Sequence, residues 1–238
     1  MIESKKTTEI LFLDIETVPQ WETYEEMPER FQKLWDTKAQ NLSKDDKTSI
    51  ELYRRAGIYA EFGKIICICA GFIIFENGEA KMRLKSISGN DEIEILKEFS
   101  LLLNSVEKKG IKSLCAHNGK EFDFPYLCRR MLVNGLKIPS ILNLMGKKPW
   151  ETPHLDTMEM WKFGDFKNFT SLNLLAAIFD IPTPKDDIDG SMVQDVYWKE
   201  KNLNRIVTYC QKDVITLARL LLKFKVEGNL KDENVLLV

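Results

Sequence analysis

The longest apolar run of this chain, "IICICAGFIIF" (Ile65–Phe75), constrains the fold more than any other segment. It falls well short of the roughly 20 apolar residues that a membrane-spanning helix needs. Its isoleucine and cysteine residues suit a buried β-strand. A strand that is apolar along its length must be covered by other parts of the chain. We therefore expect this segment to lie inside a sheet.

Short segments elsewhere predict the partners of this strand. Ile10–Ile15 is predicted as a buried strand, and "FENGEA" contains an Asn-Gly turn that leads into the alternating segment Lys81–Ile87, as in a hairpin. "KSLCAHN" and "HLDTMEMW" predict two further short strands. From about residue 20 to about residue 60, apolar residues at helical spacing in a charged segment predict a helical excursion between the first two strands.

Amphipathic patterns predict the helices that cover the sheet. In chain order they are a helix between Gly89 and Gly110, then Phe124–Asn134, Ser171–Phe179, Ser191–Glu200, and Asn202 to about Lys225. "DIPTPKDDIDG" (180–190) is predicted as a loop because of its prolines, and the last residues as a loosely packed tail. The order of elements predicts an α/β fold, a mixed central β-sheet flanked by helices, with residues 1–238 as a single domain.

The first predicted strand carries two acids in the stretch "LFLDIETVP". Because side chains alternate along a strand, Asp14 and Glu16 point to one side, while Leu11, Leu13 and Ile15 point to the other. A charge in an apolar strand is costly unless something pairs with it. Taken alone, a D-x-E pattern is weak, and it is typical of a strand end that reaches solvent.

The second group of polar residues lies in "AHNGKEFDFPYL". Asp123 follows a predicted strand and begins a predicted helix, where Asp commonly serves as an N-cap. Asn118 also follows the predicted strand, where Asn is an ordinary turn residue. The apolar residues around the acid, among them Phe122 and Phe124, indicate a pocket that accepts a ring.

The third group lies on the last predicted helix, in "RIVTYCQKDVITLARLL". Tyr209 and Asp213 are four residues apart and therefore share a helix face, beside the apolar stripe. Taken alone, this pair favours an ordinary position beside the stripe, with Asp213 pairing to Lys212 or Arg205.

Taken together, the three groups resemble the three motifs of the DEDD superfamily of 3′–5′ exonucleases, which has the ribonuclease H-like fold. The matching residues are Asp14 and Glu16 (D-x-E), then Asn118, Phe122 and Asp123 (N-x-x-x-[F/Y]-D), then Tyr209 and Asp213 (Y-x-x-x-D). The tyrosine of the third motif marks the DEDDy branch, and the chain most resembles the stand-alone type of exonuclease related to the proofreading domain of family B DNA polymerases. The resemblance covers nearly the whole chain, although the excursion at 20–60 is longer than a bare exonuclease core needs.

The resemblance implies a metal-dependent enzyme that hydrolyses phosphodiester bonds from the 3′ end of single-stranded DNA and releases nucleoside 5′-monophosphates. It implies two divalent ions, Mg²⁺ or Mn²⁺, since hard cations prefer carboxylate oxygens. Asp14, Glu16 and Asp213 would hold the ion that activates the attacking water. Asp14 and Asp123 would hold the ion on the leaving 3′ oxygen, and Tyr209 would orient the water and the phosphate.

Four further residues are assigned through the same resemblance. Asn118 and Phe122 would contact the terminal nucleotides, and Thr17 would present its backbone to the 3′ end. Asp156, in "HLDTMEMW", would orient the site without touching the metals, although a plain strand-end acid fits it as well. The aromatic and basic stretch Trp161–Phe169 is either a single-strand track or an ordinary packed edge.

Charge and cysteine content limit the remaining options. The net charge is −2, so bulk electrostatics do not hold a nucleic acid, which must be held locally by a basic patch or by bound metal ions. The five cysteines include no C-x-x-C pair and there are two histidines, so a structural zinc site is not predicted. With no signal-peptide core at the N-terminus, we expect a soluble, cytoplasmic protein without membrane contact.

Two other functions compete with a deoxyribonuclease. An exoribonuclease acting on RNA or short oligonucleotides would use the same fold, and a contact to the 2′-hydroxyl would distinguish it. A catalytically silent nucleic-acid-binding module usually lacks one of the acids, and all four are present here. The sequence does not identify a partner among the proteins of DNA repair or replication.

Overall fold

A mixed six-stranded sheet forms the centre of the fold in the computed structural model, which describes residues 5–42, 47–165, 167, 169–182 and 188–238. The strands, in chain order, are β1 (Ile10–Pro19), β2 (Gly63–Glu76), β3 (Glu79–Ser88), β4 (Ser113–Ala116), β5 (Leu155–Asp156) and β6 (Val235–Leu237). Their order across the sheet is β5-β4-β1-β2-β3-β6. β2 is antiparallel to both of its neighbours, β1 and β3, while β4, β5 and β6 pair in parallel. The predicted mixed sheet is therefore confirmed.

Helices cover both faces of this sheet, as the sequence predicts. They are α1 (Glu29–Leu42), α2 (Ser49–Leu52), α3 (Glu92–Lys108), α4 (Asp123–Val133), α5 (Thr157–Lys162), α6 (Leu172–Ile178), α7 (Val193–Trp198) and α8 (Leu203–Lys225). Among the described residues, none of these helices is long and apolar enough to cross a membrane. Part of the predicted loop, residues 183–187, lies outside the described residues, as do positions 166 and 168 of the predicted aromatic track.

Alternate residues of β1 belong to two different hydrophobic cores. Leu11, Leu13 and Ile15 pack in the core shared with α3 and α4. Ile10 and Phe12 pack in the opposite core, which is shared with α7 and α8. Asp14 and Glu16 have the parity of this second set, so the strand directs both carboxylates toward α8.

Two local predictions are wrong. "HLDTMEMW" is not a continuous strand, because Asp156 accepts hydrogen bonds from the backbone N–H groups of Met158 and Glu159 and so begins α5 directly after β5. The chain end is not a loose tail, because β6 pairs with β3 and extends the sheet by one strand. β1 also continues beyond the predicted Ile15 to Pro19.

The excursion after β1 contains its own aromatic cluster. Trp35 is fully buried at its centre, with edge-on contacts to Tyr53 and Phe62. The Trp35 indole N–H donates to the carbonyl oxygen of Ser49 at 2.9 Å, which ties α1 to α2. Arg54, two residues after the end of α2, forms an ion pair with Asp195 of α7 at 2.9 Å. In its described part, the segment between β1 and β2 contains α1 and α2.

A buried ion pair fixes α4 against the sheet. Arg130 of α4 donates two hydrogen bonds to the Glu92 carboxylate and a third to the carbonyl oxygen of Ala60 at 2.9 Å. Glu92 also accepts the backbone N–H of Ile65 in β2 at 2.8 Å. Both charged side chains are more than nine-tenths buried. This network therefore holds three chain segments in one arrangement, and α4 begins with Asp123.

Candidate active site

The two acids of β1 lie in the middle of the sheet, opposite two cysteines. The antiparallel register pairs Asp14 with Cys69 and Glu16 with Cys67 of β2. A bulge follows between Glu16 and Thr17, an irregularity that is common beside functional sites. Glu16 is 7% exposed, so its carboxylate is held within the protein.

Asp123 reaches the same place from α4. It is the first residue of that helix and 3% exposed, and its carboxylate accepts the backbone N–H of Ile15 at 3.2 Å. The sequence suggests a simple helix cap for Asp123, but the structure places Phe122 at the cap position. The hydrogen bond to Ile15 instead joins the start of α4 to the strand between the two β1 acids.

α8 contributes the third side of the cluster. Asp213 interacts electrostatically with both Asp14 and Glu16. Tyr209, one turn earlier, hydrogen bonds to Asp213 and is also close enough to the two β1 acids to be influenced by their charge. The structure thus brings together all four acids and the tyrosine from three separate parts of the chain.

Burial and mutual repulsion shift the pKa values of this cluster upward. Burial is the largest cause for Asp14, followed by the charges of Glu16, Asp123 and Asp213, and it raises the pKa of that carboxyl well above the ordinary value. The pKa of Glu16 is raised well above its usual range for the same two reasons. Burial raises the pKa of Asp123 to about 7. Burial and the adjacent carboxylates also raise the pKa of Tyr209, so its hydroxyl keeps its proton at neutral pH.

The donor set of the cluster fits a hard divalent cation. Asp14, Glu16 and Cys210 each place a ligand atom within 4.8 Å of the others, and Asp123 and Asp213 add carboxylates that interact with Asp14. Carboxylate oxygens are the ligands that Mg²⁺ and Mn²⁺ prefer. A cation among them would also offset the repulsion that raises their pKa values.

This arrangement predicts an unusual pH dependence for the metal-free protein. Asp titrates near 3.9 in an unfolded chain, whereas Asp123 has a pKa of about 7 in the folded protein. Between these pH values the folded protein holds a proton that the unfolded chain has released. The free energy of unfolding must therefore fall as the pH rises through this window.

Thermal unfolding in EDTA measures this effect. Buried His154, with a pKa lowered to about 3, acts in the opposite direction, because the unfolded chain takes up its proton below pH 6.5. The quantity to compare is therefore the stability of wild type and that of Asp123→Asn, whose side chain cannot ionise. We expect the variant to gain stability relative to wild type as the pH rises from 5 to 7.5, and Mg²⁺ to reduce that gain. A constant difference across this range would contradict the raised pKa.

The predicted orienting residue Asp156 binds the loop that carries the second motif. Its carboxylate accepts the backbone N–H groups of Asn118 and Lys120 at 2.9 and 3.0 Å. Asn118 has a positive φ of 63°, and Gly119 lies so close to Ala116 that a Cβ atom there would clash at 2.3 Å. The tight turn needs both the glycine and the acceptor that Asp156 supplies.

The other predicted substrate residues lie nearby but differ in accessibility. Phe122 is partly buried and packs against Tyr126, with ring centroids 5.3 Å apart. Thr17 is half-buried at the bulge of β1. Asn118 lines a cavity of about 860 Å³. Their contacts with a nucleotide remain predictions.

The same cavity contains basic residues, of which the sequence points only to Lys162, in the stretch Trp161–Phe169. Lys120, Arg129, Lys147 and Lys162 line it together with apolar side chains of α4 and the following loop. The clustered acids themselves do not line it, so the cavity lies beside the cluster, beyond Asn118. Lys120 is next to Asn118-Gly119 in the sequence, a local signal that could have identified it; Arg129 and Lys147 join these residues only through folding.

A comparison with solved structures defines the class of fold. The chain is similar to the structure of the family B DNA polymerase from the hyperthermophilic archaeon Pyrobaculum calidifontis, with a TM-score of 0.52 and 15% sequence identity. The match covers 90% of this chain and 24% of the polymerase, so this chain spans about a quarter of that protein's length. The mixed sheet with flanking helices is similar to the ribonuclease H-like exonuclease domain of such polymerases.

The family follows from the sequence itself. Residues 58–236 match the family described as "Predicted 3'-5' exonuclease related to the exonuclease domain of PolB", and the chain belongs to that family. The predicted resemblance is confirmed. The matched region includes Asn118, Asp123, Tyr209 and Asp213, while Asp14 and Glu16 precede it. No curated protein matches the chain.

Proposed function

We propose that this protein is a metal-dependent 3′–5′ exonuclease that shortens single-stranded DNA from its 3′ end and releases nucleoside 5′-monophosphates. The convergence of Asp14, Glu16, Asp123 and Asp213 beside Tyr209 is the observation that carries the proposal. Three elements, β1, α4 and α8, supply these groups, and like charges are not brought together in a protein interior without a counter-charge.

Two divalent ions would be held by this cluster, with Asp14 as the shared ligand. Glu16 and Asp213 would complete the site of one ion, and Asp123 the site of the other. Such ions neutralise the charge of the phosphate oxygens and make a water molecule nucleophilic at neutral pH. The protein's own part is to hold the carboxylates rigidly. The Ile15 hydrogen bond to Asp123 and the Arg130–Glu92 network behind α4 support that role.

The cavity that Asn118 lines is a candidate binding path for the rest of the DNA strand. Its lysine and arginine side chains suit a phosphate backbone, although the whole chain is slightly acidic. Exposed aromatic rings lie close by in the chain, with Phe163 91% and Phe169 65% exposed. Lys162 lies 4.2 Å from the centroid of the Phe169 ring. Basic groups interleaved with accessible rings are typical of single-strand binding.

The experiment that tests the proposal compares matched oligonucleotides. A 5′-labelled single-stranded DNA incubated with the protein and Mg²⁺ or Mn²⁺ should shorten in a ladder from the labelled strand's 3′ end, and EDTA should stop it. A DNA blocked at its 3′ terminus is the control. Faster degradation of the RNA of the same sequence would reassign the enzyme as an exoribonuclease. Binding without any shortening would support a silent binding module.

Tyr209 allows a separate test of how the water and phosphate are oriented. Its raised pKa makes the hydroxyl a proton donor in hydrogen bonds at neutral pH, and a poor general base. Tyr209→Phe should lower the turnover rate by roughly 10- to 100-fold, the usual effect of losing an outer-shell partner. The Mg²⁺ concentration that gives half-maximal activity should change little, since Tyr209 is not a proposed metal ligand. An equal loss of metal affinity would contradict this role.

A further inference from the structure

Three buried thiols form a cluster directly beneath the candidate active site. Cys67 and Cys69 lie on the same face of β2, and Cys210 faces them from α8; each is 0% exposed. Their sulfur atoms all lie within 4.8 Å of one another, and those of Cys67 and Cys69 are 3.8 Å apart. The hydrolytic reaction proposed above uses none of them.

The spacing of the Cys67 and Cys69 sulfur atoms matches that of two ligands of one thiophilic ion. A tetrahedral zinc centre with Zn–S bonds of about 2.3 Å has sulfur atoms separated by about 3.8 Å. The positions need no loop movement, because a strand and a helix of the core fix all three cysteines. The sequence shows no such site, since two of its members are separated from the third by most of the chain.

One member of the thiol cluster is in contact with the carboxylate cluster. The Cys210 sulfur lies 3.3 Å from the Asp14 carboxylate oxygen Oδ2, and Asp14 pairs with Cys69 across the sheet. The Cys69 sulfur has a hydrogen-bonding partner in Ser86. Ser86 lies 3.3 Å from the Cys69 sulfur and accepts from Gln211 at 2.8 Å, so its hydroxyl proton is free to turn toward a metal-bound sulfur.

We infer that Cys67, Cys69 and Cys210 form a binding site for one thiophilic divalent ion such as Zn²⁺, and that filling it inhibits hydrolysis. Each cysteine releases its proton to solvent when it binds the ion. Inhibition follows because an ion on Cys210, whose sulfur lies 3.3 Å from Asp14 Oδ2, places a further positive charge beside the carboxylate that the proposed hydrolytic ions need. The site itself stands independently, while its inhibitory effect rests on the proposed exonuclease function.

Binding is tested with Cd²⁺ alone as a spectroscopic probe. The reduced, EDTA-treated chain is titrated in excess Mg²⁺, which occupies the carboxylates. We expect a thiolate-to-cadmium absorption band in the ultraviolet that reaches its endpoint at one Cd²⁺ per chain. Cys67→Ala should lose most of this band. Cys115→Ala, which removes another fully buried thiol, should keep it. No band in wild type, or the same band in both variants, would overturn the site.

A measurement on the wild-type protein avoids any dependence on variant folding. Zinc K-edge X-ray absorption of the Zn²⁺-loaded chain should show sulfur neighbours at about 2.3 Å. A first shell of oxygen and nitrogen alone would mean that Zn²⁺ binds only the carboxylates, and it would overturn the proposal.

Inhibition is tested in the nuclease assay at saturating Mg²⁺. One equivalent of Zn²⁺ should slow the wild-type enzyme by roughly tenfold or more, the scale expected when a catalytic metal site is disturbed. For each variant, the rate with Zn²⁺ is divided by the rate of the same variant without Zn²⁺. Zn²⁺ should slow Cys67→Ala less than it slows wild type, and it should slow Cys115→Ala as much as wild type. Equal inhibition of all three would overturn the inhibitory link. An absence of nuclease activity without zinc would count against the proposed function and leave the cadmium result unaffected.

Discussion

Asp14→Asn is expected to abolish nuclease activity and, at the same time, to stabilise the metal-free protein. Asp14 is the proposed ligand shared by the two ions. Bound metal ions supply several kcal/mol of transition-state stabilisation. A loss of about 4 kcal/mol corresponds to a rate reduction of roughly 10³-fold. Without metal, the same substitution removes a charge that repels Glu16, Asp123 and Asp213. We therefore expect the melting temperature in EDTA at pH 7.5 to rise by a few degrees.

The opposite directions of these two effects make the test specific. A variant that merely misfolds loses activity and stability together, whereas removal of a metal ligand loses activity and gains metal-free stability. Glu94→Gln is the matched control, because Glu94 is an exposed acid of α3 that pairs with Lys97 on the surface. It should leave both quantities nearly unchanged. An active Asp14→Asn enzyme would exclude the proposed metal site.

Arg130→Met is expected to give the largest loss of stability among the substitutions considered. It leaves the Glu92 carboxylate buried without its charged partner, and breaking such a pair typically costs about 3–5 kcal/mol. For a chain of this size each kcal/mol lowers the melting temperature by roughly 2–4 °C. Activity should also fall, because α4, which carries Asp123, is no longer fixed to the sheet.

A double variant separates the unpaired charge from lost packing. Glu92→Gln combined with Arg130→Met removes both charges, while the glutamine carbonyl still accepts the Ile65 N–H. Replacing both members of a buried pair is often close to neutral, so the double variant should recover much of the lost stability. Lys97→Met breaks the exposed pair with Glu94 and should change the unfolding free energy by less than about 1 kcal/mol. Denaturant unfolding in EDTA measures all three.

The local features of the fold were predictable from the chain. The helices α3, α4, α6, α7 and α8 and the strands β2 and β3 follow from apolar periodicity, to within a few residues at their ends. The wrong predictions concern β5, α5 and β6. α5 begins directly after β5 because Asp156 caps it locally, whereas β5 and β6 are short strands that exist only through pairing with β4 and β3. Such pairing leaves little signal in the strand's own sequence.

The residues of the candidate site were predictable as types and faces, but not as a set of contacts. Strand alternation places Asp14 and Glu16 on one side of β1, and helical spacing places Tyr209 beside Asp213. Only the resemblance to exonucleases connected these two pairs to Asp123. The hydrogen bond from Ile15 to Asp123, and the role of Asp156 as an acceptor for the Asn118 loop, depend on how β1, α4 and α5 pack together.

By itself, then, the sequence determined which residues face together within each strand or helix, because backbone geometry fixes a period of two or of 3.6 residues. The tertiary structure alone decided which faces meet. The register of β1 against β2 sets Asp14 beside Cys69 and Glu16 beside Cys67, and the packing of α8 on that face adds Cys210. Register and packing depend on pairing between residues far apart in the chain, which no local pattern encodes. That is why the carboxylates were visible in the sequence and the thiol cluster beneath them was not.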